Sequence, residues 1–239
     1  TTGIGRYWLN VACNFYLKKK DSDPIETDTD GIYITGEPHL QEINELIRSL
    51  VPEQYMGNIV RIEPKKYDAG IFYAQKGYVL LRDGKLLFHG NGLKGRQLPN
   101  ICDKALERIT WAIFQTESIA RVLREIGAEI RSNQFSDFIM NIQLSKDPDD
   151  YSEGTMHAHL IKRMQKAKIP VHWGDDVQFV KTKHKGLLPV ELAKKRDLDW
   201  DYYLKRIAEV TKRLIKVVNP DITSREIVHI LKGGKMYEY

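Results

Sequence analysis

Apolar residues recur at three- and four-residue spacing in five stretches of the chain, and short β-rich runs lie between them. Ile4, Trp8, Val11, Ala12 and Phe15 put one apolar face on a helix over residues 4–16, which the Lys18-Lys19-Lys20 run and the Asp21-Ser22-Asp23-Pro24 turn bring to an end. Leu40, Ile43, Leu46, Ile47 and Leu50 predict a second helix over 37–50, with Pro38 in its first turn. Strands are expected at 31–35, 58–62, 70–74, 78–81 and 85–89, with Arg82-Asp83-Gly84 turning the last pair. A long helical pattern follows from Leu98 to Ile126, and Gly127 is a natural cap for its end. Beyond it the pattern gives a strand within 136–144, a helix at 156–164, a turn into a strand after His172, and a helix from Tyr203 to about Val218. The tail from Asn219 to Tyr239 shows no Q-x-x-[LIM]-x-x-[FY]-[FY] peptide of the kind that binds a sliding clamp, and Gly233-Gly234-Lys235 reads as a frayed end.

Composition changes this picture little. The chain has 239 residues, with 37 basic and 32 acidic side chains and a net charge of +5, a mild excess that suits a polyanionic partner. Cys13 and Cys102 are too few for a disulfide framework or a zinc ribbon, so a reducing, cytoplasmic setting is expected. No apolar run approaches the roughly 18–20 residues of a membrane span, and no signal-peptide pattern opens the chain. There is no initiator Met either, which suggests a fragment.

The candidate chemistry centres on Glu26-Thr27-Asp28-Thr29-Asp30-Gly31. On a strand or hairpin, residues two apart share a face, so Asp28 and Asp30 would converge, with Gly31 permitting a tight turn beside them. Two carboxylates held together call for a cation, and hard oxygen donors favour magnesium, manganese or calcium over zinc. The same residues can be read as a calcium loop that begins at Glu26 and ends at Glu37, but such a loop requires flanking helices, whereas Pro24, Pro38 and a β-rich run surround this one. They can also be read as an ordinary solvated acidic turn.

Asp28-Thr29-Asp30-Gly31 between hydrophobic strands resembles the D-T-D-[SG] motif, motif C, at the palm hairpin of archaeal-type family B DNA polymerases. The resemblance continues in order along the chain. Gln75-Lys76-Gly77-Tyr78 is similar to the family's K-K-x-Y strand beside primer-template, with Gln75 in place of the first Lys. Gly92-Leu93-Lys94-Gly95-Arg96 resembles the segment at the palm–thumb junction, keeping Arg96 and lacking the Glu and the first Arg. Tyr151, His157, Lys162 and Arg163 match the thumb's D-Y and P-H-x-x-x-A-K-R-L motifs, with Met156 for Pro. His172 to Val180 and Asp199-Trp200-Asp201-Tyr202-Tyr203 match later thumb segments.

The resemblance implies an α+β fold: an antiparallel palm sheet with packed helices over residues 1–97, then a mostly helical thumb over 98–239. It implies that Asp28 and Asp30 are catalytic, metal-binding carboxylates. It also implies that Lys76, Tyr78, Lys94, Arg96, Tyr151, His157, Lys162 and Arg163 contact primer-template DNA. The family's earlier D-x-x-S-L-Y-P motif and its K-x-x-x-N-S-x-Y-G helix do not occur here. The expectation is therefore a split or truncated, nucleoid-associated polymerase piece, inactive alone. A larger segment carrying exonuclease, fingers and the first palm motif would complete a site for two magnesium ions (Mg2+). A non-catalytic DNA-binding subunit is the alternative; Gln75 and the gaps near Arg96 favour it, while the intact carboxylates disfavour it.

Two other patterns fall away. Gly90-x-Gly92-x-x-Gly95 has no βαβ unit around it, so it is no dinucleotide fingerprint. His157 and His159, two apart on a helix, point in directions roughly 200° apart and do not share a metal.

Overall fold

A computed structural model describes residues 3–28, 31–51, 62–90 and 98–235. The strand expected at 58–62 lies almost entirely outside them, as do Asp30, Lys94 and Arg96. The chain divides into two compact units, Thr1–His89 and Gly90–Tyr239. Helices and small antiparallel sheets make up both, so the fold is α+β.

In the first unit, α1 (Gly3–Tyr16) leads into a hairpin of β1 (Ser22–Asp28) and β2 (Gly31–Gly36), followed by α2 (Leu40–Leu50). The apolar faces of both helices meet against the hairpin: Ala12, Ile43 and Ile47 are buried, with Trp8, Phe15, Ile32 and Leu46 packed around them. Burial of each such aliphatic side chain is worth about 1.5–3 kcal/mol. Helix α2 starts later than Pro38 because His39 takes a left-handed φ of 41° and the backbone only then turns helical. The Tyr16 hydroxyl donates to the Pro38 carbonyl at 2.6 Å, tying the lead-in to the end of α1. At the far end of the hairpin Gly36 is required, since its φ is +86° and a Cβ there would sit 1.9 Å from the Asp21 carbonyl oxygen. A second sheet, β3 (Ala69–Ala74), β4 (Gly77–Arg82) and β5 (Lys85–His89), is antiparallel with β4 in the centre.

The acidic stretch is flanked by strands, and Glu37 lies past the end of β2, where its carbonyl accepts from the Ser22 hydroxyl. A calcium loop needs helices on both sides and is thereby excluded.

The second unit holds α3 (Asn100–Phe114), α4 (Ile119–Glu129), β6 (Met140–Gln143), α5 (Met156–Lys166), β7 (Asp176–Thr182), β8 (Gly186–Pro189), α6 (Trp200–Ile215) and α7 (Ser224–Leu231). Helix α3 packs on α4 and α6, and α7 packs on α4 and α6. The strands form a sheet in the order β6–β7–β8, and α5 lays Leu160, Ile161 and Met164 on its apolar face, against Met140, Ile142, Val177 and Phe179.

Two sequence expectations are corrected here. The single helix over 98–126 is two: Thr116 adopts a φ of +57°, and Ser118 restarts the helix as an N-cap accepting from the Arg121 amide. Gly127 is no cap but lies inside α4, where a Cβ would fall 1.7 Å from the Leu231 carbonyl oxygen; the missing side chain lets the end of α7 come close. The tail also carries a helix that the sequence pattern did not predict: α7 opens with a capping box of Thr223 and Glu226 and buries Ile227, Ile230 and Leu231. No described helix is long and apolar enough to cross a membrane. Neither cysteine is bonded to another; Cys102 is buried, and burial pushes its thiol up to about 12.

Candidate active-site hairpin

The hairpin ladder runs in register from Ser22 opposite Gly36 to Asp28 opposite Gly31, with a bulge between Pro24 and Glu26. Proline has no amide to give a ladder, so an irregularity beside Pro24 is where one is expected. The consequence is that β1 ends on Asp28 and β2 starts on Gly31, leaving Thr29 and Asp30 to connect them. The predicted convergence of Asp28 with Asp30 thus depends on a residue outside the described set. Gly31 is not there for a left-handed backbone. Among described atoms its nearest neighbour to an added Cβ would be the Asp28 carbonyl oxygen at 3.8 Å, ordinary contact.

Asp28 meets two residues from the second sheet. The Tyr78 hydroxyl donates to its Oδ2 at 3.1 Å, and the Lys76 ammonium lies 3.6 Å from its Oδ1. Lys76 occupies the tight turn between β3 and β4 with a φ of +57°, which aims its side chain from the end of the sheet. Tyr78 sits two residues on, in the central strand, opposite Phe72 on β3 and His89 on β5. Its ring stacks on His89 with centroids 4.7 Å apart and leans against Phe72 and Tyr33. The Tyr33 hydroxyl, from β2, donates to the Tyr78 oxygen at 2.8 Å. Burial first, then the Tyr33 hydroxyl and the Asp28 charge, raise the Tyr78 phenol well above its ordinary range, so it remains a donor.

Three of the expected site residues, Asp28, Lys76 and Tyr78, are therefore together. Tyr78, expected along the duplex, is instead buried, at 2% exposure. Tyr33 was not singled out by the sequence; its only signal was a place on the strand leaving the carboxylates. The carboxylates fit a hard divalent cation by their oxygen donors. Among the described residues, however, no group of three or more His, Cys, Asp or Glu side chains gathers to hold one.

In the second unit Tyr151 and His157 stack nearly parallel, centroids 4.6 Å apart, and the Tyr151 hydroxyl accepts from the Ser145 amide at 2.8 Å. Lys146 covers the Tyr151 ring at 4.8 Å. Lys162 is exposed on α5. Arg163 is engaged internally, donating to His159 Nε2 at 3.0 Å and to the Lys185 carbonyl at 2.6 Å, so it fastens α5 to the β7–β8 turn. Burial, and then the Arg163 and Lys181 charges, hold His159 below its usual pKa.

Comparison with known proteins gives the family. A family model described as DNA polymerase family B matches residues 52–218. "DNA polymerase 1" of Sulfurisphaera ohwakuensis is 23% identical over 230 residues, covering 90% of this chain and 26% of that protein. "DNA polymerase 2" of Aeropyrum pernix is 25% identical over 223 residues, covering 88% and 26%. The solved structure of the family B DNA polymerase from the hyperthermophilic archaeon Pyrobaculum calidifontis shares the fold with a TM-score of 0.66 at 18% identity, over 93% of this chain and 30% of that one. The chain thus spans about a quarter of the length of these two relatives. With the family model matched over more than half of its residues, this chain belongs to DNA polymerase family B.

Proposed function

We propose that the chain supplies the motif C carboxylates and the thumb of a family B DNA polymerase, as palm (1–97) and thumb (98–239). A larger segment would complete it by contributing the other catalytic aspartate, the nucleotide-binding helix and the exonuclease. The observation that carries this reading is the carboxylate of Asp28 at the end of a β-hairpin, with an ammonium and a phenol from the neighbouring sheet directed onto it. Asp30 is the principal metal ligand and Asp28 the supporting one. Magnesium held there with the partner's aspartate supplies activation of the primer 3′-hydroxyl and charge stabilisation of the leaving pyrophosphate. Lys76, Lys94, Arg96, Tyr151, His157 and Lys162 contact primer-template, chiefly at phosphates, which position the duplex without reading its sequence; Arg163 instead fastens α5 to the β7–β8 turn.

The test mixes the chain with the larger segment on primed template and magnesium. Extension lost on Asp30→Ala, with duplex binding retained, is the expected result. Extension unchanged by Asp30→Ala would remove the carboxylate from the mechanism and favour a DNA-binding subunit without catalytic carboxylates, the reading that Gln75 supports.

A further inference from the structure

We propose that Tyr78, backed by Tyr33, is a positioning residue for the metal-binding carboxylate: its hydroxyl fixes one oxygen of Asp28 and so sets how the carboxylate is presented to a divalent cation. This rests on the metal reading above. Among the described residues, the hairpin carrying Asp28 and the sheet carrying Tyr78 are separate sheets with no shared ladder. Side chains must therefore set the height and rotation of the carboxylate relative to β4, and the Tyr33–Tyr78–Asp28 chain spans that gap.

The direction of this chain follows from its chemistry. An ionised carboxylate only accepts, so the Tyr78 proton points at Asp28 Oδ2, and the Tyr78 oxygen in turn accepts from Tyr33. Each hydroxyl polarises the next, which strengthens the bond that reaches the carboxylate. The Tyr78 ring cannot easily move, being held between His89 and Phe72 on the two flanking strands and packed against Tyr33. The hydroxyl is thus a fixed point. Lys76, 3.6 Å from Oδ1, is longer than a hydrogen bond and acts there as a nearby charge. Partners that orient a ligating carboxylate in this way typically govern metal affinity about 10–100-fold.

The test is a manganese(II) titration of the full chain assembled with the larger segment, followed by electron paramagnetic resonance, for the wild type, Asp30→Ala, Tyr78→Phe, Tyr33→Phe and Tyr73→Phe. Tyr73 is the control, since its hydroxyl also bonds within this sheet, to the His89 carbonyl at 2.9 Å. Tyr78→Phe keeps the ring and loses the donor, so affinity should fall about ten-fold. Tyr33→Phe should give a smaller fall, and Tyr73→Phe none. If Asp30→Ala weakens binding and Tyr78→Phe does not, the positioning role is overturned while the metal site stands. An equal loss in Tyr73→Phe makes the effect one of sheet integrity and also overturns it. No effect of Asp30→Ala, or no binding by the wild type in the millimolar range, overturns the metal reading and the positioning role with it. Thermal melting of each variant separates these outcomes from misfolding.

Discussion

Asp137 shows how a single residue can hold a fold together without belonging to a site. It is buried, yet accepts from the Asn100 amide and the Lys104 ammonium, each at 2.8 Å, and from the Gln134 amide at 3.2 Å. Burial pushes its carboxyl upward, but the Lys104 and Asn100 hydrogen bonds outweigh this, and its pKa ends below the ordinary value. A depressed carboxyl stabilises the fold above the unfolded value of about 3.9, and that contribution fades as pH falls through the folded value. Asp137→Asn should therefore cost about 1–3 kcal/mol at neutral pH, read by denaturant unfolding, and the variant should lose part of the wild type's acid sensitivity. An equal loss at pH 7 and pH 3 would refute this. Gly31→Ser, by contrast, should leave the melting temperature nearly unchanged, since a Cβ finds only ordinary contact among the described atoms. At this scale the sequence exposed Asp28, Lys76 and Tyr78 through a motif. Tyr33 escaped because its bond to Tyr78 joins residues 45 apart, and no local pattern encodes such a contact.

Amphipathic elements were legible where their own period determined them, as in α1, α2, α5 and α6. The break between α3 and α4 was hidden because apolar residues resume at Ile119 almost as though the helix had continued. Gly127 misled for a tertiary reason: its purpose is to admit α7, and nothing around it in sequence says so. Gly127→Ala should force α4 and α7 apart and lower stability by about 1–3 kcal/mol, despite alanine's better helix propensity, as thermal melting would register. A stabilised variant would contradict the close packing. The start of α2 carries a different dependence. His39 Nε2 faces Asp21 at 2.8 Å and its Nδ1 faces Glu42 at 2.9 Å, while Lys19 also bonds Glu42 and the Phe15 ring lies alongside. The Asp21 hydrogen bond above all raises the His39 pKa. A raised histidine contributes fully below the unfolded value of about 6.5, and the contribution disappears as pH climbs through the folded value. The melting temperature of the wild type should accordingly drop between mildly acidic and alkaline pH by more than that of His39→Gln.

For the whole molecule the decisive property is charge set against a polyanion. The net charge of +5 is modest, so the proposed duplex binding would rest on a few placed cations more than on a general field. Lys76, Lys94, Arg96 and Lys162 are the candidates left once Arg163 is set aside for its bonds to His159 and Lys185. Each cation on a phosphate contributes about −0.9 to the slope of log affinity against log salt, so four give a slope of about −3.6 for B-form duplex. Lys162→Ala should make that slope shallower by about 0.9 and weaken binding to all sequences alike. Arg163→Ala should act mainly on stability, because it unfastens α5 from the β7–β8 turn, and should leave the slope close to that of the wild type. Fluorescence anisotropy of a labelled duplex across a salt series measures all three chains. A wild-type slope near zero would mean that phosphate contacts do not hold the duplex. A full unit lost on Arg163→Ala would mean that the guanidinium leaves its internal partners to meet DNA.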